Sequence, residues 1–532
     1  MDSKAIALKN ISNYGDTDIF PFPVENMIFH DCFDKSKDLL NKIENEFSNF
    51  IQKYPVDKES LCIPVGLGGF RWATQIDPIW NAYFLSLVLD LSGSIEKKRI
   101  SADKDTIYSY RLSIDESTGK LFSKEISWRK FISDSINIAG SGKYSHVVKF
   151  DISDFYTRIY HHRLENALIR TEGDREKIKR VMTILQNLSS NASYGLPIGG
   201  NASRLLAEAL LHSIDQYLFN KKIRFCRFVD DFVLFAESKE DAFRFLNTSA
   251  EFLLRNEGLA IQKTKTQLLS VTEYISQTKH LLFGEEDELT SLRASFLNLH
   301  IYYDPYSITA EDDYKSLKSK ILSFDVIGLL QEEMRKSRIH QAIGKQILNA
   351  ISYLDDEKIG LSFKTISSNY DIFYPIFPSV LQVASKSITK APIEYQNDFM
   401  KSLCDLVDKD SYIVQSDNTL AYLVRVLSRS ELEESSQTID SIFNKTSSPM
   451  VKANCIYAMT NKRMDFWLSD KKSNFVTMSR QEKRAFIIAS YFLGDEGTHW
   501  RNHTKNQFLD LEVLTRDWVS NKITNKHWKL PI

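Results

Sequence analysis

Glycine and proline are scarce. The 532 residues hold 19 glycines and 12 prolines, about 6% of the chain where a globular protein usually carries about 12%. So few turn-formers exclude collagen-like and linker-rich chains. They also argue against a many-stranded all-β architecture, so long helices are expected to dominate. The five cysteines, Cys32, Cys62, Cys226, Cys404 and Cys455, are odd in number and scattered, with no Cys-x-x-Cys pair or Cys/His cluster. That weighs against zinc and a disulfide framework and fits a reducing cytoplasm. Neither sign of charge is in excess: 68 Lys+Arg face 69 Asp+Glu, a net charge of −1. A polyelectrolyte coat protein would be far more basic, whereas a nucleic-acid enzyme needs only a locally positive cleft. The apolar runs near FLSLVLDL and AFIIASYFL are too short to span a bilayer, and the first twenty residues lack the pattern of a signal peptide.

What is present is ordinary globular material, 43% hydrophobic and 26% charged, long enough for roughly two to four domains. Apolar residues recur at three and four positions from Asp31 to Tyr54, which predicts a helix. From Leu61 to about Gly140 the pattern is mixed: a glycine-bearing VGLGGFRW, a helical WNAYFLSLVLDLSGSIEKKR and a strand-like TIYSYRLSI. From His146 to about Ser270 short apolar strands alternate with helices. VVKFDI, IRFCRF and FVLFAE read as strands, NASRLLAEALLHSIDQYL as a helix, and SKEDAFRFLNTSAEFLLRNEG as a helix closed by Gly258. After about residue 305 only amphipathic helices of roughly 12 to 18 residues follow, consistent with a stacked helical array or with an irregular bundle.

The sharpest chemical signal is RFVDDFVLFAES. Asp230 and Asp231 stand between two strand candidates at a turn that lacks the usual Asn-Gly or Gly. Adjacent carboxylates stay ionised comfortably only beside a cation. Alone, the pair fits a solvated hairpin tip better than a site. KFDISDFYTRIY changes that balance, because Asp151 ends another apolar strand and can face the carboxylate hairpin. Mg²⁺ takes hard oxygen ligands, often one or two carboxylates completed by phosphates. Two such ions about 3.5–4 Å apart activate an attacking oxygen and stabilise a leaving pyrophosphate. Between these strands SYGLPIGGNASRLLAEALL places Gly195, Pro197, Gly199 and Gly200 at a helix entry, where the backbone can approach a phosphate or base closely. A lone lysine such as Lys265, after the strand-like GLAIQ, is usually solvated; in this context it could approach a triphosphate and protonate the leaving pyrophosphate.

Asp-x-x-x-x-Tyr, Gly-Leu-Pro-x-Gly-x-x-x-Ser, x-x-Asp-Asp and Gly-Leu…Lys-Thr follow one another over residues 140–270 in the order of a reverse transcriptase palm, and the chain resembles that family. The resemblance implies an α+β fold: a helical N-terminal extension over 1–60, fingers over 61–145, a palm with an antiparallel sheet over 146–300, and an all-α, repeat-like C-terminal domain over 301–532. It implies two Mg²⁺ ions held by Asp151, Asp230 and Asp231. Tyr156 would be the steric gate against a ribose 2′-OH. Arg111, Gly199 and Ser203 would contact the nucleotide, with Arg71 a further contact to template or nucleotide. Ile198 departs from the family's usual Gln, and Phe228-Val229 from Tyr-Ala.

The helical region after the palm, with no endonuclease, RNase H-like or maturase motif, resembles the bacterial defence-associated reverse transcriptases, including the abortive-infection polymerases. That implies a homo-oligomer, trimer or hexamer, taking dNTPs to single-stranded DNA against phage. Synthesis would be either protein-primed and untemplated or copied from a noncoding RNA. Tyr14 and Tyr412 are candidate priming residues. An RNA-synthesising palm polymerase and a catalytically inert RNA-binding scaffold are the competing readings.

Overall fold

Asp77 and Pro78 open the longest helix among the described residues. The Asp77 carboxylate accepts the Ile79 N–H at 3.3 Å, and Pro78 occupies the first turn, where its missing N–H costs no helical bond. The helix runs Pro78–Lys98 and is buried along most of its length. It belongs to a computed structural model that describes residues 1–15, 17, 19–66, 68–190, 192–283, 296, 310–336, 339–524 and 528–532. The chain divides into two compact units. One joins Met1–Lys58 to Thr74–Glu286, and the other joins Glu59–Ala73 to Asp287–Ile532.

The first unit begins with α1 (Ser3–Tyr14), α2 (Val24–Asp31), α3 (Phe33–Asn45) and α4 (Phe47–Lys53). The helix expected over Asp31–Tyr54 is broken at Glu46, which leaves the helical region at φ −118°. The break turns Phe47 and Phe50 onto the ring of Trp80, at 6.3 and 5.7 Å. Then come β1 (Lys58–Pro64) and β2 (Phe70–Ile76), which pair as a hairpin, and the long helix as α5. A second small hairpin, β3 (Leu112–Asp115) with β4 (Lys120–Phe122), precedes α6 (Trp128–Ala139). The strand expected over TIYSYRLSI is shorter than predicted. Residues 106–108 instead lie along a palm strand, with the Tyr108 N–H donating to Arg227 O at 2.9 Å and the Arg227 N–H to Thr106 O at 2.8 Å. Tyr110 then breaks the run at φ +46°.

The central sheet is built from β5 (His146–Asp151), β6 (Arg224–Phe228), β7 (Asp231–Ala236) and β8 (Gln267–Ser270), in the order β6-β7-β5-β8, every pairing antiparallel. Between β5 and β6 lie α7 (Phe155–Arg158), α8 (His161–Arg170), α9 (Arg175–Leu188) and α10 (Asn201–Asn220). After β7 comes α11 (Lys239–Phe252), and after β8 comes α12 (Val271–Phe283). Residues Phe232 to Ala236 are all buried, as expected for an interior strand covered on both faces. After α11 the backbone widens into a π-turn over Leu253–Glu257, and Gly258 caps it at φ +70°, a conformation that suits glycine. The predicted strand before Lys265 is only an isolated bridge, Ile152 to Ile261. The edge of β5 is taken by the segment after the lysine, with His146 opposite Ser270.

In the second unit every described element outside the β1–β2 hairpin is helical. Alternate helices pack on one another: Gln341–Ile351, Phe377–Ser387, Asp417–Leu427, Pro449–Asn461, Arg480–Ala489 and Asp510–Lys522 form one row. Asp356–Ser367, Ile393–Asp408 and Glu433–Lys445 form a second. Two rows of successive helices make a stacked array. Glu59 on β1 caps one of these helices, accepting from the Ser448 hydroxyl and, at 2.9 Å, from the Met450 N–H. The expected boundary at 300/301 lies outside the described residues. Residues 61–73, read as the start of the fingers, lie in the segment Glu59–Ala73 that groups with the helical unit.

Candidate active site

β5 and β7 end together. Along their ladder Phe150 faces Phe232, and Asp151 faces Asp231 as the last pair. The two phenyl rings stack at 4.9 Å and 10°, one residue back along each strand and so on the face opposite the carboxylates. Asp230 occupies the turn between β6 and β7, next to Val229 at φ +56°, an unusual conformation for a β-branched residue.

Arg227 holds this turn. Its guanidinium is fully buried and donates to Val229 O at 2.8 Å. The same group is paired with two carboxylates of α10: Asp215 through Nε at 2.7 Å and Nη2 at 2.6 Å, and Glu208 through Nη2 at 2.8 Å. Arg99 Nη2 donates to the same Glu208 oxygen, Oε2, at 2.7 Å. Burial alone would raise the Glu208 pKa, but Arg227 and Arg99 overcome it and hold the group below its ordinary value. Sequence reasoning missed this network. Its signal was legible: Glu208 and Asp215 stand seven residues apart, two helical turns, among the mostly apolar buried residues of α10.

Burial, reinforced by Asp151 and Asp231, raises the Asp230 pKa to about 7. Asp231 is raised too, by burial and then by Asp151. Lys265 supplies one countercharge, its Nζ 2.6 Å from Asp151 Oδ2. That hydrogen bond raises the lysine pKa. The backbone fixes the approach: the Gln262 N–H donates to Asp151 O at 2.8 Å, and the Ser153 N–H to Ala260 O at 2.8 Å. Among the described residues no three Asp, Glu, His or Cys side chains form a ready metal cluster. Asp151 and Asp231 crowd Asp230, which bears the electrostatic cost. Two hard carboxylates without enough positive charge fit a divalent cation whose shell is completed by phosphates.

Tyr156 belongs with this group. Its phenol is pushed up by burial and then by Tyr110, with Asp230 adding to the shift. The Leu196 N–H donates to Tyr156 O at 2.8 Å, which ties α7 to the Gly-Leu-Pro loop. Gly199 in that loop sits at φ +121°, and a Cβ there would meet Thr17 Cγ2 at 2.9 Å. Ser203 is buried and lines a small cavity with Thr17, Asn81 and Phe84.

Arg111 is placed differently from its expected role. Its guanidinium is buried and donates to Glu96 at 2.9 Å, to Ile107 O at 3.2 Å and to Ile100 O at 2.5 Å. It is committed to the fold and is not offered to a triphosphate. Arg204, unflagged in the sequence, stands over the Tyr110 ring at 5.3 Å and acts electrostatically on Tyr156. Arg71 is exposed on β2, among residues that group with the helical unit. Tyr14 is exposed at the end of α1, while the Tyr412 phenol donates to Asp371 at 2.7 Å and is thereby pushed up to about 12.

The comparisons with known proteins fall on this same region. Residues 103–317 match the family "Reverse transcriptase (RNA-dependent DNA polymerase)". No curated protein matches the sequence. Among solved structures, telomerase from Candida albicans in complex with a TWJ fragment of telomeric RNA is 14% identical, covers 77% of this chain and 70% of its own, and has a TM-score of 0.30. Apo telomerase from Candida tropicalis is 12% identical, with coverages of 77% and 73% and a TM-score of 0.28. Likeness of that size carries no weight here; the match over 103–317 and the motifs within it do. The segment that brings Asp151, Asp230, Asp231 and Lys265 together is a reverse transcriptase domain, and the chain is by class an RNA-directed DNA polymerase, a nucleotidyltransferase.

Proposed function

We propose that this chain is a two-metal polymerase that takes dNTPs to single-stranded DNA in defence against phage. The observation that carries the polymerase reading is the pairing of Asp151 with Asp231 beside the Asp230 turn. Asp151, Asp230 and Asp231 would hold two Mg²⁺ ions, which when bound supply positive charge to an attacking hydroxyl and a leaving pyrophosphate. Lys265, charged and beside Asp151, is the proton donor for the departing pyrophosphate. The ring of Tyr156 fills the space a 2′-OH needs and selects deoxynucleotides. All three carboxylates are retained, which weighs against an inert scaffold.

The defence role rests on the resemblance drawn from the palm motifs followed by a helical array. With it come the finer parts of the proposal: a cytoplasmic homo-oligomer, trimer or hexamer, and synthesis either primed by a protein hydroxyl or copied from a noncoding RNA. No described helix is long and apolar enough to cross a membrane.

The test is incubation of purified protein with each labelled dNTP and Mg²⁺, before and after protease. Incorporation that disappears in Asp230→Asn supports the reading. Label that stays with the polypeptide until digestion marks protein priming. No incorporation with any dNTP, with or without added RNA, overturns it.

A further inference from the structure

The β3–β4 turn is pressed onto α1. Gly119 in that turn sits at φ +75°, and a Cβ there would meet Asn10 N at 2.5 Å. Three side chains of α1 bind the turn's carbonyls: Lys9 Nζ donates to Glu116 O at 2.7 Å, Asn13 Nδ2 to Thr118 O at 2.9 Å and Asn10 Nδ2 to Gly119 O at 2.9 Å. Asn10 alone of the three is buried, at 3% exposed. A buried amide is costly unless both its ends are bonded. The Asn10 Oδ1 accepts from Asn201 Nδ2 at 2.9 Å. Asn201 opens α10, directly after Gly199 and Gly200. Its own Oδ1 accepts from Arg204 Nη1 at 2.9 Å. Arg204 lies over the Tyr110 ring, and both act electrostatically on the Tyr156 phenol. Side chains from separate segments thus run in one line from the turn to the candidate gate.

We infer that Asn10 is a positioning residue for nucleotide selection, acting through Asn201 and Arg204 on the wall beside Tyr156. An amide has a donor end and an acceptor end. Asn10 Oδ1 takes the donor end of Asn201, which leaves the acceptor end to Arg204. Turned over, the Asn201 amide would set donor against donor at the guanidinium and acceptor against acceptor at Asn10. Arg204 is therefore held over Tyr110, where a guanidinium gains from the ring face. Tyr110 is itself confined at φ +46°. A nucleotide seated at the carboxylates with its sugar against Tyr156 meets this wall already formed, and a preformed wall costs less on binding. Thr17, from the same N-terminal segment, closes on Gly199, so the segment brackets the loop before α10 at two points. Asn13 makes the same kind of bond to the turn and none to Asn201 among the described residues. The inference rests on the polymerase reading, which supplies the nucleotide.

The test measures steady-state incorporation of dNTPs and rNTPs by the full-length protein and, separately, its binding of a fluorescent dATP analogue. Asn10→Ala should raise KM for dNTP about three- to tenfold, the worth of one hydrogen bond, with kcat within about twofold of wild type. The ratio of rNTP to dNTP incorporation should rise about threefold. A role in stability alone would lower the active fraction, and with it kcat, and leave KM and the ratio where they are. Asn201→Ala, at a half-buried position, cuts the same line and should match it. The double variant should be no worse than either single one, because both remove one coupled interaction. Asn13→Ala should keep the wild-type KM. Wild-type KM and ratio in both Asn10→Ala and Asn201→Ala would overturn the inference. So would effects that multiply in the double variant, or an equal KM shift in Asn13→Ala. If Asn10→Ala binds the analogue about three- to tenfold more weakly while the wild type incorporates no dNTP, the positioning role stands and the polymerase reading fails.

Discussion

Asp151 and Asp231 are the terminal Cα pair of the β5–β7 ladder, so the two carboxylates leave the sheet at the same level. A one-residue slip in this register would send one of them to the opposite face. The stacked Phe150 and Phe232 rings one step earlier guard against such a slip.

Asp151→Asn and Asp230→Asn should each lower dNTP incorporation at least a thousandfold while leaving the circular dichroism spectrum unchanged. Electrostatic groups of this kind are worth several kcal/mol in the transition state. Near-normal incorporation by either purified variant would remove the carboxylates from the chemistry.

Cation binding should depend on pH through Asp230. With its pKa raised to about 7, a cation must displace a proton below that value. Affinity for Mg²⁺ or Mn²⁺ should fall about tenfold per pH unit below pH 7 and level off above it. Isothermal titration in buffers of different ionisation enthalpy would count the released proton.

The same shift has a consequence for stability without metal. A carboxyl whose folded pKa lies above its unfolded value binds more protons in the folded state between about pH 4 and 7. Its contribution is therefore present at low pH and lost as pH rises through 7. Asp230→Asn should remove that pH dependence and stabilise the metal-free protein at pH 8 by on the order of 2 kcal/mol. Urea unfolding at pH 5 and pH 8 would show it; an equal effect at both would contradict the assignment.

Arg227→Met should be far more damaging than its distance from the surface suggests. It strands Glu208 and Asp215 and frees the Val229 carbonyl. Breaking one partner out of a buried ionic group typically costs about 3–5 kcal/mol. Arg227→Lys keeps the charge but lacks the planar fork for two carboxylates and a carbonyl, and should fall between. Denaturant midpoints of the three proteins would rank them.

Tyr156→Ala should admit ribonucleotides, raising the ratio of rNTP to dNTP incorporation by tenfold or more. Parallel single-nucleotide assays decide it. Equal use of both by the wild type would show that the ring is no gate.

Much of this site could be read from the sequence because strand ends and turns leave local marks. The strand read in VVKFDI ends at Asp151, and the apolar runs on either side of Val229-Asp230 pair as neighbours. Gly258 caps where expected. What escaped depends on contacts distant along the chain. Arg111 reads as a free cation until Glu96 and two carbonyls are folded against it. Arg227 looks like an interruption in RFCRF until α10 brings Glu208 and Asp215 to it. The strand after Lys265, not before it, won the edge of β5 because pairing partners are chosen by register rather than by local composition. Likewise nothing local marks Tyr110 or Val229 as left-handed, since tertiary contacts impose it.

The Arg227 cluster also limits how the domain can be rearranged. Its members come from α5's end, the segment before β3, α10 and β6, joined through Arg99, Ser109, Glu208, Asp215 and Arg227. Transplanting the Asp-Asp hairpin into another scaffold without that set would carry the reactive carboxylates but not the geometry of their turn. Chimeras should therefore exchange residues 96–236 as one block, and crossovers inside it should yield proteins that fail to fold.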